Sequence, residues 1–186
     1  GHLLSRDTGH DFPYGQFAYY GYDAPESWPQ LLKKLPDLRL PSMERVVAVT
    51  IDGQDLAYPL SYIAKKSVFR DSVNGLDFVI FHAGDRVSPF PGGDGEDRRV
   101  IGSTGVFESS LDGKTLSFGL KDGRITDNET GSTWNILGKA VQGPLMGSRL
   151  TPVVHGVHFW FAWAAHRPDT LIKGEVDGWP PVFRSP

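Results

Sequence analysis

The chain contains no cysteine. That absence removes disulfides, thiolate metal sites and cysteine nucleophiles together, although it does not choose a compartment. No apolar run approaches the length of a membrane-spanning helix, so no transmembrane segment is expected. Basic excess is missing too: 19 Lys and Arg stand against 22 Asp and Glu, net −3, with no Arg-rich tract. Nucleic acid is therefore not an expected partner. What the chain has in quantity is Gly (22) and Pro (14). They fall between short alternating segments, which favours a turn-rich β fold over a helix bundle. With 186 residues, one domain is expected, burying about 70% of the unfolded surface without staples.

The sequence divides as follows. Residues 1–6 read as an expression remnant (Gly1-His2) and a disordered start. Residues 7–44 form an irregular arm, rich in aromatics such as Tyr14, Tyr20 and Trp28 and cut by Pro13, Pro25 and Pro36. Prolines so placed forbid a long helix or a central strand; a short helical turn is expected over 28–35. Residues 45–154 read as a β meander, 155–172 as a helix, and 173–186 as an extended tail.

Within the meander, 45–51 (RVVAVTI) is a strand that turns at Asp52-Gly53 into 54–58. Residues 59–64 suit a short helix or turn. A second hairpin joins 68–71 to 76–82 around Asn74-Gly75. Residues 83–99 are a loop with a mobile Gly-rich tip at 91–97. Further strands are expected at 99–102, 105–109, 115–120, 124–126, 132–136, 139–142 and 149–154. Three Asp-Gly turns and one Asn-Gly make an antiparallel arrangement the simplest topology. In 158–166 Phe159, Ala162, Trp163 and His166 recur at helical spacing, and Arg167-Pro168 ends the run. The expected fold is thus α+β and β-rich: a single domain, an antiparallel sheet or sandwich of about eight or more short strands. One buried aromatic C-terminal helix is expected to seal a single interior.

Several phrases carry a resemblance. They include Gly21-Tyr22-Asp23, then Leu40-Pro41-x-Met43-Glu44-Arg45-Val46-Val47, Ala57-Tyr58-Pro59 and Thr130-Gly131-Ser132-x-Trp134. Arg149-Leu150-x-Pro152 and His158-Phe159-Trp160-Phe161-Ala162-Trp163 follow. In this order, over residues 7–172, they resemble the family catalogued as domain of unknown function 3179. The resemblance implies no activity. It does imply an extracytoplasmic or cell-surface setting in bacteria or archaea, since members often follow a signal peptide or lipid anchor. Many members also carry Cys-Pro-Leu-Cys where this chain has His82-Ala83-Gly84-Asp85, so thiol chemistry of relatives does not extend to it.

Two constellations stand out. His155 and His158 lie three apart at the expected helix start, where both rings would face one way. Together with His82 and Asp85 they form a candidate site for zinc or copper, because neutral imidazoles and a carboxylate suit either ion. The competing account is structural: His155 bonds a carbonyl, His158 caps or packs the helix and His82 is exposed. Trp134, Trp160, Trp163 and Arg149 are the candidate lining of an aromatic pocket, against core packing for the tryptophans and ion pairing for Arg149. Asp127 and Glu129 would suit general acid and base, against a turn-forming role. The leading functional expectation is a non-enzymatic extracytoplasmic binding domain, with a small pocket near the C-terminal helix for a small ligand or metal. A metal-dependent or carboxylate hydrolase is the alternative, and a structural module docking a protein partner is a further one.

Overall fold

The computed structural model describes residues 7, 9–11, 19–25, 27–29, 35–90 and 98–179. The expected start at 1–6, most of the aromatic arm, the helical turn at 28–35, the loop tip and the end of the tail lie wholly or largely outside these residues.

Strands β1 (Arg45–Ile51) and β2 (Gln54–Pro59) form the expected hairpin. Asp52 and Gly53, at the centre of the turn, have φ of 47° and 79°, the left-handed backbone that matches strand twist in two-residue hairpins. Helix α1 (Leu60–Lys66) follows directly. The same turn chemistry at Asn74-Gly75 joins β3 (Val68–Val73) to β4 (Leu76–Ala83). After β5 (Ser103–Glu108), Asp112-Gly113 joins β6 (Ser110–Leu111) to β7 (Lys114–Thr115). Asp122-Gly123 joins β8 (Phe118–Lys121) to β9 (Arg124–Asp127). Then come β10 (Thr133–Trp134), β11 (Ala140–Gln142), β12 (His155–Phe159), α2 (Trp160–His166) and β13 (Leu171–Ile172).

The fold is α+β and β-rich, in mainly antiparallel sheets ordered β12-β1-β2-β13, β3-β4-β5, β11-β10-β9-β8 and β6-β7. The one exception in direction is β13, which runs parallel to β2. Successive side chains of a strand face opposite ways, so the buried residues sort by face. Val47, Val49, Leu56 and Tyr58 of the first sheet meet Phe78, Ile80 and Val106 of the second, with Ile63 of α1. On the reverse of the first sheet, Val46, Ala48 and Ala57 meet Trp160 and Ala164 of α2. On the reverse of the second, Val79, Phe81 and Phe107 meet Phe118, Ile125, Trp134 and Ala140 of the third. The single interior expected from the sequence is therefore three apolar layers in a stack, separated by two sheets whose strands β1, β2 and β4 are buried on both faces.

Four local expectations are corrected. Residues 155–159 pair with β1 as a strand rather than opening the helix; a run of aromatic and apolar residues satisfies either period, and the exposed flank of β1 decides. Residues 149–154 form no strand but two isolated bridges, Lys139–Arg149 and Phe107–Pro152, because Pro152 has no N–H to extend a ladder along β5. At 99–102 a lone bridge, Val87–Val100, ends at Gly102 (φ 67°). Residues 115–120 split between β7 and β8. Helix α2 buries Trp160 and Ala164 fully, while Trp163 is half-buried and Ala162 exposed. It is aromatic and docked along one stripe.

Candidate ligand pocket beside the first helix

Asp23, in the described part of the arm, is 1% exposed. Its carboxylate takes Arg45 Nη2 at 2.7 Å and Ser88 Oγ at 2.5 Å on Oδ2, and Arg99 Nη2 at 2.8 Å on Oδ1. Arg99 Nη1 also donates to the Asp23 carbonyl. The Arg45 guanidinium lies 4.8 Å from the centre of the Phe159 ring, a cation–π contact that further fixes its plane. Burying a charge is costly unless it is paired and hydrogen-bonded, and one carboxylate here ties together three sequence-distant segments.

Beside this cluster, between the start of β1, α1 and residues 99–101, lies a cavity of about 110 Å³. Met43, Leu60, Ala64, Val100 and Ile101 give it apolar walls. Its polar groups come from Glu44, Arg45, Ser61 and Arg99. Glu44 is 4% exposed; its Oε1 accepts the Ser61 N–H at 3.0 Å, and no cation pairs with it among the described residues. The Ser61 and Ser42 hydroxyls are buried and lack partners among the described residues. The pocket adjoins α2 through the backbone: Trp160 N–H donates to the Glu44 carbonyl at 2.8 Å and Phe161 N–H to that of Ser42 at 3.0 Å. Neither helix carries a side-chain cap of its own, so residues 42–44 supply acceptors to the first turns of both.

The residues proposed from sequence are placed apart from this pocket. His155 and His158 occupy one strand at odd spacing and so face opposite sides of the sheet. His158 stacks on Trp163, ring centres 5.3 Å apart, while His155 Nδ1 lies 2.8 Å from the Val153 carbonyl oxygen. His82 is buried at the end of β4, its Nδ1 3.5 Å from Thr104 Oγ1. Burial holds this imidazole below its ordinary pKa, with the charge of Asp85 pulling weakly the other way. No group of three or more His, Asp or Glu among the described residues is arranged to hold a metal.

The aromatic lining is likewise dispersed. Trp134 packs edge-on to Phe118 in one layer and donates Nε1–H to Asp127 Oδ2 at 2.8 Å. Trp160 lies in another layer, bonded to the Asp37 carbonyl. Trp163 donates to Thr170 Oγ1, and Arg149 is exposed. His82 and Trp134 do line one open hollow of about 490 Å³. Asp127 is committed to Trp134, Thr130 and Ser132: burial pushes its pKa up, but these hydrogen bonds outweigh burial and hold it below its usual value. Glu129 holds the Ser117 N–H and hydroxyl at 2.9 and 2.6 Å. Both carboxylates serve the turn.

Compared with known families, residues 1–170 match the one described as Protein of unknown function (DUF3179). The chain belongs to this DUF3179 family. Neither a curated protein nor a solved structure matches it. Asp23, Glu44 and Arg45 sit inside the phrases that carry the DUF3179 resemblance, yet sequence reasoning passed over them as functional residues. The available signal was a Glu-Arg pair placed directly before the most apolar strand, VVAV, where a charge has to be buried or to mark a rim. Arg99 and Ser61 carry no comparable local signal.

Proposed function

We propose that this chain is a non-enzymatic binding domain, working outside the cytoplasmic membrane, that takes a small polar ligand into the pocket between α1 and the start of β1. The observation that carries the reading is the buried Ser61 hydroxyl, without a partner among the described residues, beside the Glu44 carboxylate, whose one hydrogen bond among them is from the Ser61 N–H, on a mostly apolar wall. An unpaired buried polar group costs about 1–3 kcal/mol, and a ligand that hydrogen-bonds the Ser61 hydroxyl recovers that cost. Apolar walls with a few convergent polar groups are the usual make-up of a small-molecule site. The extracytoplasmic setting rests on the family resemblance and is tested by fractionating the native host's cells.

The binding reading is tested by titrating a library of small polar molecules into ¹⁵N-labelled protein. At least one compound is expected to shift the amides of Glu44, Ser61 and Ile101 together. A library that leaves these amides unmoved, or binds only at the hollow near Trp134, overturns it.

A further inference from the structure

We infer that the ligand of this pocket is a small zwitterion of the amino-acid class: an ammonium and a carboxylate on one short aliphatic body. This rests on the binding reading above and adds the chemistry of the ligand. Asp23 carries one negative charge and takes two guanidiniums, Arg45 and Arg99, which leaves one positive charge in surplus. Glu44 carries a negative charge that no cation neutralises among the described residues. The surplus and the deficit open onto the same cavity. An anion without an ammonium meets Glu44, and a cation without a carboxylate meets the guanidinium surplus; each loses hydration against a like charge, an unfavourable exchange in a partly buried site.

A molecule carrying both signs satisfies both ends. Its ammonium has Glu44 Oε2 and Ser61 Oγ as acceptors. Its carboxylate has the guanidinium donors that Asp23 does not use: Arg45 Nε and Nη1 and Arg99 Nε make no hydrogen bond among the described residues. Between the poles, Met43, Leu60, Ala64 and Ile101 accommodate an aliphatic side chain, and a cavity of about 110 Å³ matches a small body.

The experiment is calorimetric titration at low ionic strength with L-valine, with isobutylamine (its carboxylate removed) and with isovalerate (its ammonium removed). Valine is expected to bind, and each one-charge probe to bind at least about tenfold more weakly, the loss of one charge-assisted hydrogen bond. Glu44→Gln keeps an acceptor for the Ser61 N–H and is expected to weaken valine about tenfold without weakening isovalerate. Ser61→Ala, a smaller change, is expected to weaken valine severalfold and serves if Glu44→Gln does not fold. Isobutylamine or isovalerate binding as tightly as valine overturns the inference, as does valine binding that neither variant changes. If valine fails to bind while some other compound still shifts the Ser61 and Ile101 amides, the zwitterion inference falls and the pocket reading stands. If no compound shifts them, both fall.

Discussion

Asp23 shows what a single side chain does when its charge is buried. Replacing it by Asn keeps the shape but leaves two guanidiniums sharing a neutral amide. Breaking a buried pair costs about 3–5 kcal/mol in general. Arg99 keeps part of its surface in water, which reduces that figure, so Asp23→Asn is expected to lower stability by about 2–4 kcal/mol in urea unfolding. His82 acts in the opposite sense, since its site favours the uncharged ring. Its folded pKa is depressed by burial, so the unfolded chain binds the proton first on acidification. Stability is full above about pH 6.5, the unfolded value, and falls as pH drops toward the depressed folded value. Melting temperature measured from pH 8 to 5 is expected to decline over this window in the wild type and to decline less in His82→Asn. Equal slopes would count against the assignment.

At the scale of elements, the two helices are too short to stand alone, since isolated helices of fewer than about 12 residues are marginal. Both depend on residues 42–44. Glu44→Ala removes the acceptor of the Ser61 N–H and is expected to cost about 1–2 kcal/mol, the range of a lost helix cap, whereas Glu44→Gln costs less; chemical unfolding of the pair checks this. The hairpins were legible because their information is local: an Asx-Gly pair at Asp52, Asn74, Asp112 and Asp122 selects the turn wherever it falls between apolar runs. Strand β12 was not, because nothing inside His155–Phe159 distinguishes it from the helix that follows. Its state is decided by β1, far back along the chain. The candidate pocket was illegible for the same reason. Asp23, Ser88 and Arg99 are ordinary polar residues until long-range packing brings them to Arg45, whereas His155 and His158 have a suggestive spacing that the strand period separates.

Across the whole molecule, three apolar layers place β1, β2 and β4 at the centre of the stack, with α2 and the β8–β11 sheet outside. The side chains of Val46, Val47, Phe78, Val79, Ile80 and Phe81 are all fully buried, which explains why these strands read as unbroken apolar runs instead of alternating ones. Hydrogen exchange under native conditions is expected to be slowest in β1 and β4, and faster in β8, β11 and α2, as burial on both faces raises the cost of local opening. A uniform profile would speak against the layered order.

The β1–β2 ribbon takes both of its neighbours, β12 and β13, from residues 155–172, far downstream along the chain. On the ribosome that ribbon emerges early and waits with two bare flanks, each a template for pairing with another copy, until residues 155–172 arrive to cover them. A protein halted after Val154 is therefore expected to collect in the insoluble fraction, and supplying 155–179 as a separate peptide during refolding is expected to return part of it to solution.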